Sequence, residues 1–152
     1  MIYLFDYLLD TNIFLRLAEK NSLARPLILD AIRKIRLQNK TICYTSQILA
    51  EFWNVCTRPV SARGGFGLTI EKTERKANLI QKHFELLPDT PATFLEWRKI
   101  ISDYGVMGVQ VHDAKLVASM NVHKIEYLVT LNEKDFKRFG INTVRPEDIQ
   151  SA

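Results

Sequence analysis

The chain is short of several things. It has two cysteines among 152 residues, too few for a disulfide framework. Cys43 and Cys56 therefore read as buried thiols of a protein kept in a reducing cytoplasm. No apolar run approaches the ~20 residues that a membrane span needs. The N-terminus has neither a basic leader nor a small-residue cleavage site, which argues against a secretory signal. Internal repeats, low-complexity tracts and linkers are missing too. The glycine-rich stretch ARGGFGL, residues 62 to 68, lacks the Gly-Lys-Ser/Thr ending of a nucleotide-binding P-loop. Neither a Ser-His-Asp arrangement nor a catalytic cysteine is found.

What remains is the composition of an ordinary soluble domain, 47% hydrophobic and 25% charged. The length fits one domain spanning residues 1–152, able to bury about 70% of the surface of its unfolded chain. The formal charge of +4 and pI near 9.1 are compatible with a nucleic-acid partner without demonstrating one.

Short strand signals alternate with helical ones. Ile2–Leu9, Thr41–Tyr44, Tyr127–Thr130 and Asn142–Arg145 read as strands. Helical periodicity covers Ser22–Leu37, Ser46–Thr57, Thr69–Phe84, a segment opened by Thr90-Pro91 and closed near Gly105, Val111–His123 and the short Asn132–Phe139. Arg58-Pro59 ends the second of these, because proline disfavours helix in the residue before it. Thr69 and Thr90 stand where helix caps belong. Strands separated by helices imply parallel pairing through right-handed crossovers. The expected fold is a three-layer α/β/α sandwich with a mostly parallel sheet of four or five strands. Such sheets bind ligands at the carboxyl ends of their strands.

Polar residues gather at those ends. YLFDYLLDTN, residues 3 to 12, carries two acids. Asp6 and Asp10 point to the same face of the strand but lie about 13 Å apart by strand rise. One metal ion with ligand distances of about 2.0–2.6 Å cannot take both. Asp10 is then either the cap of the helix that follows or a site acid. Asp6 is expected either at the solvent-facing entry of the strand or hydrogen-bonded there. Glu51 shares a polar stripe with Gln47, Asn54 and Arg58, which is either a solvated face or the wall of a groove. Asp113 falls in a first helical turn, where the macrodipole alone favours an acid by roughly 0.3–1 kcal/mol. His112 beside it is more often a packed or surface residue than a ligand. Thr130, Asn132 and Asp135 follow the strand YLVT.

Taken in order, LLDTN at 8–12, AEFWNV at 50–55, VHDAKLVA at 111–118 and LVTLNEKDF at 128–136 resemble the PIN-domain ribonucleases, the family of the VapC-type toxins. The resemblance runs from about Leu8 to Pro146 and leaves residues 1–6 as an N-terminal extension. TRPVSARGGFGL is similar to one bacterial branch of that family. The resemblance implies a metal-dependent endoribonuclease using Mg²⁺ or Mn²⁺, with RNA as substrate. A small antitoxin protein and a second copy of the chain are the implied partners. Asp10, Glu51 and Asp113 match the metal-binding acids. The fourth position, often Asp in the family, matches Asn132, with Thr130 beside it and Asp135 as an alternative acid. Thr11, Asn12 and Thr130 would support the acids through hydrogen bonds.

The residue types suit that chemistry. Hard divalent cations prefer oxygen ligands. Carboxylates about 4 Å apart repel by on the order of 4 kcal/mol per pair at an effective dielectric near 20, so such a cluster raises a carboxyl pKa or takes up a cation. Around the glycine loop, Arg58, Arg63 and Arg75 are candidates for phosphate contacts and Phe66 for stacking on a base. The alternative is a surface loop with Phe66 tucked into the core or a dimer partner. A non-catalytic PIN-like binding module is the second functional reading. The third is a receiver-type or phosphatase α/β domain, which also places acids after parallel strands; a haloacid-type phosphatase needs Asp-x-Asp after the first strand, and Asp10 is followed by Thr11 and Asn12.

Overall fold

The computed structural model describes residues 6–151. Five short strands form one sheet: β1 Tyr7–Leu9, β2 Ile42–Thr45, β3 Glu85–Leu87, β4 Tyr127–Val129 and β5 Thr143–Val144. Their order is β3-β2-β1-β4-β5, and every pairing is parallel. The helices are α1 Thr11–Ala18, α2 Ala24–Leu37, α3 Ser46–Thr57, α4 Ile70–His83, α5 Pro91–Asp103 and α6 Gln110–His123, with two 3₁₀ helices, Glu133–Phe139 and Pro146–Asp148. α1 packs on α2 and α3, α3 packs on α4, and α5 packs on α6. This is the expected α/β/α sandwich, with five strands, all parallel.

The strand residues explain their places. β1 and β2 are buried throughout, as strands covered on both faces must be. β3 was not legible as a strand. Its Glu85 and Leu86 are exposed at the sheet edge, so it shows neither a buried run nor an alternation. Of the expected strand Ile2–Leu9, the described part begins at Tyr7, and Ile2–Phe5 lie outside the described residues. Asp6 sits just ahead of β1, half-buried, and its carboxylate accepts from the Thr41 amide at 3.2 Å. Of the two expected places, the hydrogen-bonded one is observed. The short helix expected over Asn132–Phe139 is a 3₁₀ helix over Glu133–Phe139, with Asn132 at its N-cap.

Threonine starts three of the helices. The hydroxyls of Thr45, Thr69 and Thr90 accept from the amides of Ile48, Lys72 and Thr93, each satisfying one of the amides a helix start leaves open. The core runs along both faces of the sheet, with Leu8, Ile13, Phe14, Ile35, Phe52, Leu116 and Leu128 fully buried.

The chain wraps tightly after α3. The amides of Phe66, Gly67 and Leu68 donate back to the carbonyls of Val55, Arg58 and Cys56. A Cβ on Gly65 would lie 2.4 Å from the carbonyl oxygens of both Arg58 and Pro59, whereas one on Gly64 would meet nothing within 4 Å. Gly64 needs glycine only for its φ of +72°. Gly65→Ala is therefore expected to cost towards the upper end of about 1–3 kcal/mol, and more than Gly64→Ala. Urea denaturation of the two variants checks the order; equal costs would refute it.

Candidate active site

The strand order places the site. β1 and β4 are neighbours, but the chain runs outward from β1 through β2 to β3 before crossing to β4 and β5. The connections diverge between β1 and β4, and a crevice opens there beyond their carboxyl ends. Asp10 follows β1 directly and Thr130 follows β4. Their side chains meet: the Thr130 hydroxyl donates to Asp10 Oδ2 at 2.8 Å.

Asp10 is 9% exposed. Its Oδ1 accepts from the Thr11 amide at 2.7 Å, which makes it the cap of α1. Cap and site acid are thus not exclusive, since the other oxygen faces the crevice residues. Asn12 braces the same corner: its Nδ2 lies 3.5 Å from Asp10 Oδ2 and 3.4 Å from the Thr130 hydroxyl, and its Oδ1 accepts from the Leu131 amide. Thr11 reaches the other way and donates its hydroxyl to Glu51 Oε2 at 2.7 Å. The second Glu51 oxygen accepts from Gln47, whose amide also reaches the His112 carbonyl on α6. Glu51 is therefore fixed by two neutral donors and is not loose on a solvated face.

Asp113, half-buried in the first turn of α6, completes the convergence. Burial raises its pKa to about 6, and the charges of Asp10, Asp135 and Glu51 push the same way, against Arg138. Asp10 is also raised to about 6, chiefly by burial. The Thr130 and Thr11 donors oppose that rise, while Glu51 and Asp135 add to it. Four carboxylates thus share one electrostatic neighbourhood, and the fourth is Asp135. Asn132 is exposed, and its backbone amide donates to the Thr130 hydroxyl. His112 is exposed.

The glycine loop lies elsewhere. Phe66 is partly buried and packs against the core. The Arg58 guanidinium donates to the Arg63 carbonyl. Arg63 and Arg75 are exposed, and the cation that acts on Asp113 is Arg138. Sequence reasoning missed the bridge made by Gln47 and the place of Arg138. The polar stripe of α3 contained the first signal; Arg138, in a run of mixed charges, gave none.

The donors suit a hard divalent ion, although among the described residues no three His, Cys, Asp or Glu side chains close into a group that could hold one. The fit is to an ion that keeps most of its waters and takes one or two carboxylates, as Mg²⁺ does.

Residues 7–142 match the PIN domain family. The chain belongs to the PIN domain family. Solved structures with this fold include a chain of VapBC2 from Rickettsia felis bound to promoter DNA, at 20% identity and a TM-score of 0.69. There 91% of this chain and 97% of the other are covered. Another is VapC20 of Mycobacterium tuberculosis, a toxin that cleaves the sarcin-ricin loop, at 14% identity and a TM-score of 0.64, covering 93% and 100%. A chain of VapBC-1 from nontypeable Haemophilus influenzae matches at 20% identity and 0.68, covering 92% and 97%. No curated protein sequence matches the chain. Among the described residues no helix is long and apolar enough to cross a membrane.

The raised acid pKa values have a sign. Folded Asp10 binds its proton more tightly than the unfolded chain does, so its stabilising contribution is present below about pH 4. It is lost as pH rises through about 6. The change from 3.8 to about 6 corresponds to at most about 3 kcal/mol. Asp10→Asn should gain thermal stability over the wild type between about pH 4 and pH 7 in chelator, and added Mn²⁺ should narrow the gap by stabilising the wild type. Melting curves that keep the same gap at both pH values would contradict this.

Proposed function

We propose that the protein is a divalent-metal-dependent endoribonuclease that hydrolyses RNA phosphodiester bonds. The observation that carries the reading is the convergence of Asp10, Glu51, Asp113 and Asp135 on the β1/β4 crevice of a PIN domain. In this reading Asp10 and Asp113 hold Mg²⁺ or Mn²⁺, directly or through water, with Glu51 as the third acid. When bound, such an ion lowers the pKa of a water and offsets charge on the scissile phosphate.

The remaining work belongs to the chain. Thr130 and the Thr11 amide hold the two Asp10 oxygens in fixed directions. Thr11 and Gln47 do the same for Glu51. Geometry set in advance matters because a displaced donor or acceptor loses much of its effect on the reacting atoms. Asp135 supplies the negative charge that Asn132 does not, and Asn132 is left to hydrogen-bond water or substrate.

A toxin role with an antitoxin partner belongs to the same reading, supported by likeness in fold to chains of VapBC complexes. An apolar cavity of about 440 Å³ between α1, α2, α3 and α4 offers that partner a surface. Phe14 and Phe52 line it, and Lys20, Arg25, Arg36 and Lys76 edge it. Phe94 and Leu95, exposed on α5, are apolar surface available to a homodimer.

The competing reading, a non-catalytic PIN module, draws on the open spacing of the acids. Incubation of labelled single-stranded RNA with the purified protein separates the two. Cleavage is expected with Mn²⁺ or Mg²⁺ and not in chelator. Asp10→Asn and Asp113→Asn should abolish it, while Thr130→Val should reduce it roughly 10–100-fold. Failure of the wild type to cleave or to bind Mn²⁺ would favour the module.

A further inference from the structure

The acid cluster poses a problem for its own substrate. Four carboxylates around one crevice repel a polyanion, and the net charge of +4 helps only if some of it lies close by. The structure puts a compact group of cations there. An open groove of about 470 Å³ is lined by Gln110, Lys134, Asp135, Lys137 and Arg138. It shares Asp135 with the acid cluster, and Gln110 opens α6 three residues ahead of Asp113.

The 3₁₀ helix Glu133–Phe139 arranges these side chains. With three residues per turn, positions i and i+3 eclipse one another. Lys134 and Lys137 therefore form one row, and Asp135 and Arg138 the next. Among the described residues neither lysine has a carboxylate partner within salt-bridge distance, and neither has Arg138. The acid that starts the helix, Glu133, is turned away to accept from the Thr143 hydroxyl at 2.7 Å.

Arg138 is held in place without being neutralised. Its Nη2 donates to Gln110 Oε1 at 2.5 Å, its Nη1 to the Tyr104 carbonyl at 3.4 Å, and its guanidinium lies 4.8 Å from the centre of the Phe139 ring. Neutral acceptors and an aromatic face fix a guanidinium while leaving its charge available. That is what phosphate recognition asks of arginine.

We propose that this groove is the phosphate track of the active site, with Arg138 holding a backbone phosphate of single-stranded RNA beside Asp113 while Lys134 and Lys137 grip the adjoining ones. The inference rests on the ribonuclease reading and adds to it where the substrate lies. It assigns the grip to the 3₁₀ helix after β4 and not to the arginines around the glycine loop.

The test is anisotropy of a fluorescently labelled single-stranded RNA of mixed sequence, in chelator so that nothing is cleaved, across a range of KCl. Each lost phosphate contact should flatten the plot of log affinity against log salt by about 0.7. Combined Lys134→Ala, Lys137→Ala and Arg138→Ala should therefore flatten it by about 2 and weaken binding at low salt. Arg138→Lys keeps the charge and should retain most of the slope, but in cleavage assays with Mn²⁺ it should lower kcat, because the fork that positions the phosphate is gone. Arg33→Ala, on α2, should change neither. Melting curves establish that each variant is folded, and single Lys137→Glu serves if the triple variant is not. An unchanged slope in the folded triple variant overturns the proposal. So does a slope that follows Arg63→Ala and Arg75→Ala instead. If the wild type neither binds RNA nor cleaves it with Mn²⁺, the ribonuclease reading itself fails. If it does both and the triple variant does as well, only the track fails.

Discussion

A carboxylate shut away from water must be hydrogen-bonded, paired or protonated, and the site is organised around that constraint at Asp10. The residue is 9% exposed at the end of a fully buried strand. Its two oxygens are satisfied from two directions, by the helix that begins after β1 and by the threonine that ends β4. The second bond joins elements 120 residues apart in the chain. It can form only because the crossover through α5 and α6 lays β4 directly against β1, with Leu9 in register with Val129. Fold topology and the ionisation of Asp10 are thus two sides of one arrangement.

The same constraint explains the neutral donors around Glu51. A basic partner for each acid would make stable ion pairs and leave no net field in the crevice. Thr11 and Gln47 hold Glu51 without cancelling its charge. Burial is the main reason that Asp10 and Asp113 are raised to about 6, and the uncancelled charges of the neighbouring acids add to it. Buried acids without basic partners are poised to accept positive charge.

Much of this was legible beforehand. LLDTN, with a buried strand, an acid and a small polar pair, marks the strand end and the candidate site, and Thr69 and Thr90-Pro91 mark the helix starts where they are observed. Other features were hidden for physical reasons. β3 is an edge strand of three residues whose pattern carries no periodicity. Phe66 looked available for stacking because glycines surround it, yet the clash awaiting any Cβ at Gly65 shows a loop closed onto the end of α3. Asn132 carries no charge, but that Asp135 lies near enough to act on Asp10 and Asp113 depends on the path of the 3₁₀ segment and could not be read from the sequence. The role of Arg138 depends on Gln110 and Tyr104, 28 and 34 residues away, which no local pattern encodes.

The contrast between the two basic regions follows from the direction of α3. The helix starts at Ser46, at the carboxyl edge of the sheet, and runs away from it. Glu51 lies early enough to face the crevice. Arg58 lies seven residues further, about 10 Å along the axis, where the glycine loop folds back on the end of the helix. The 3₁₀ helix, by contrast, begins four residues after the end of β4, and its Asp135 and Arg138 both act on Asp113. Cations near each other in sequence are therefore a poor guide to which of them face the acids. What decides is how far a helix has travelled from the end of its strand.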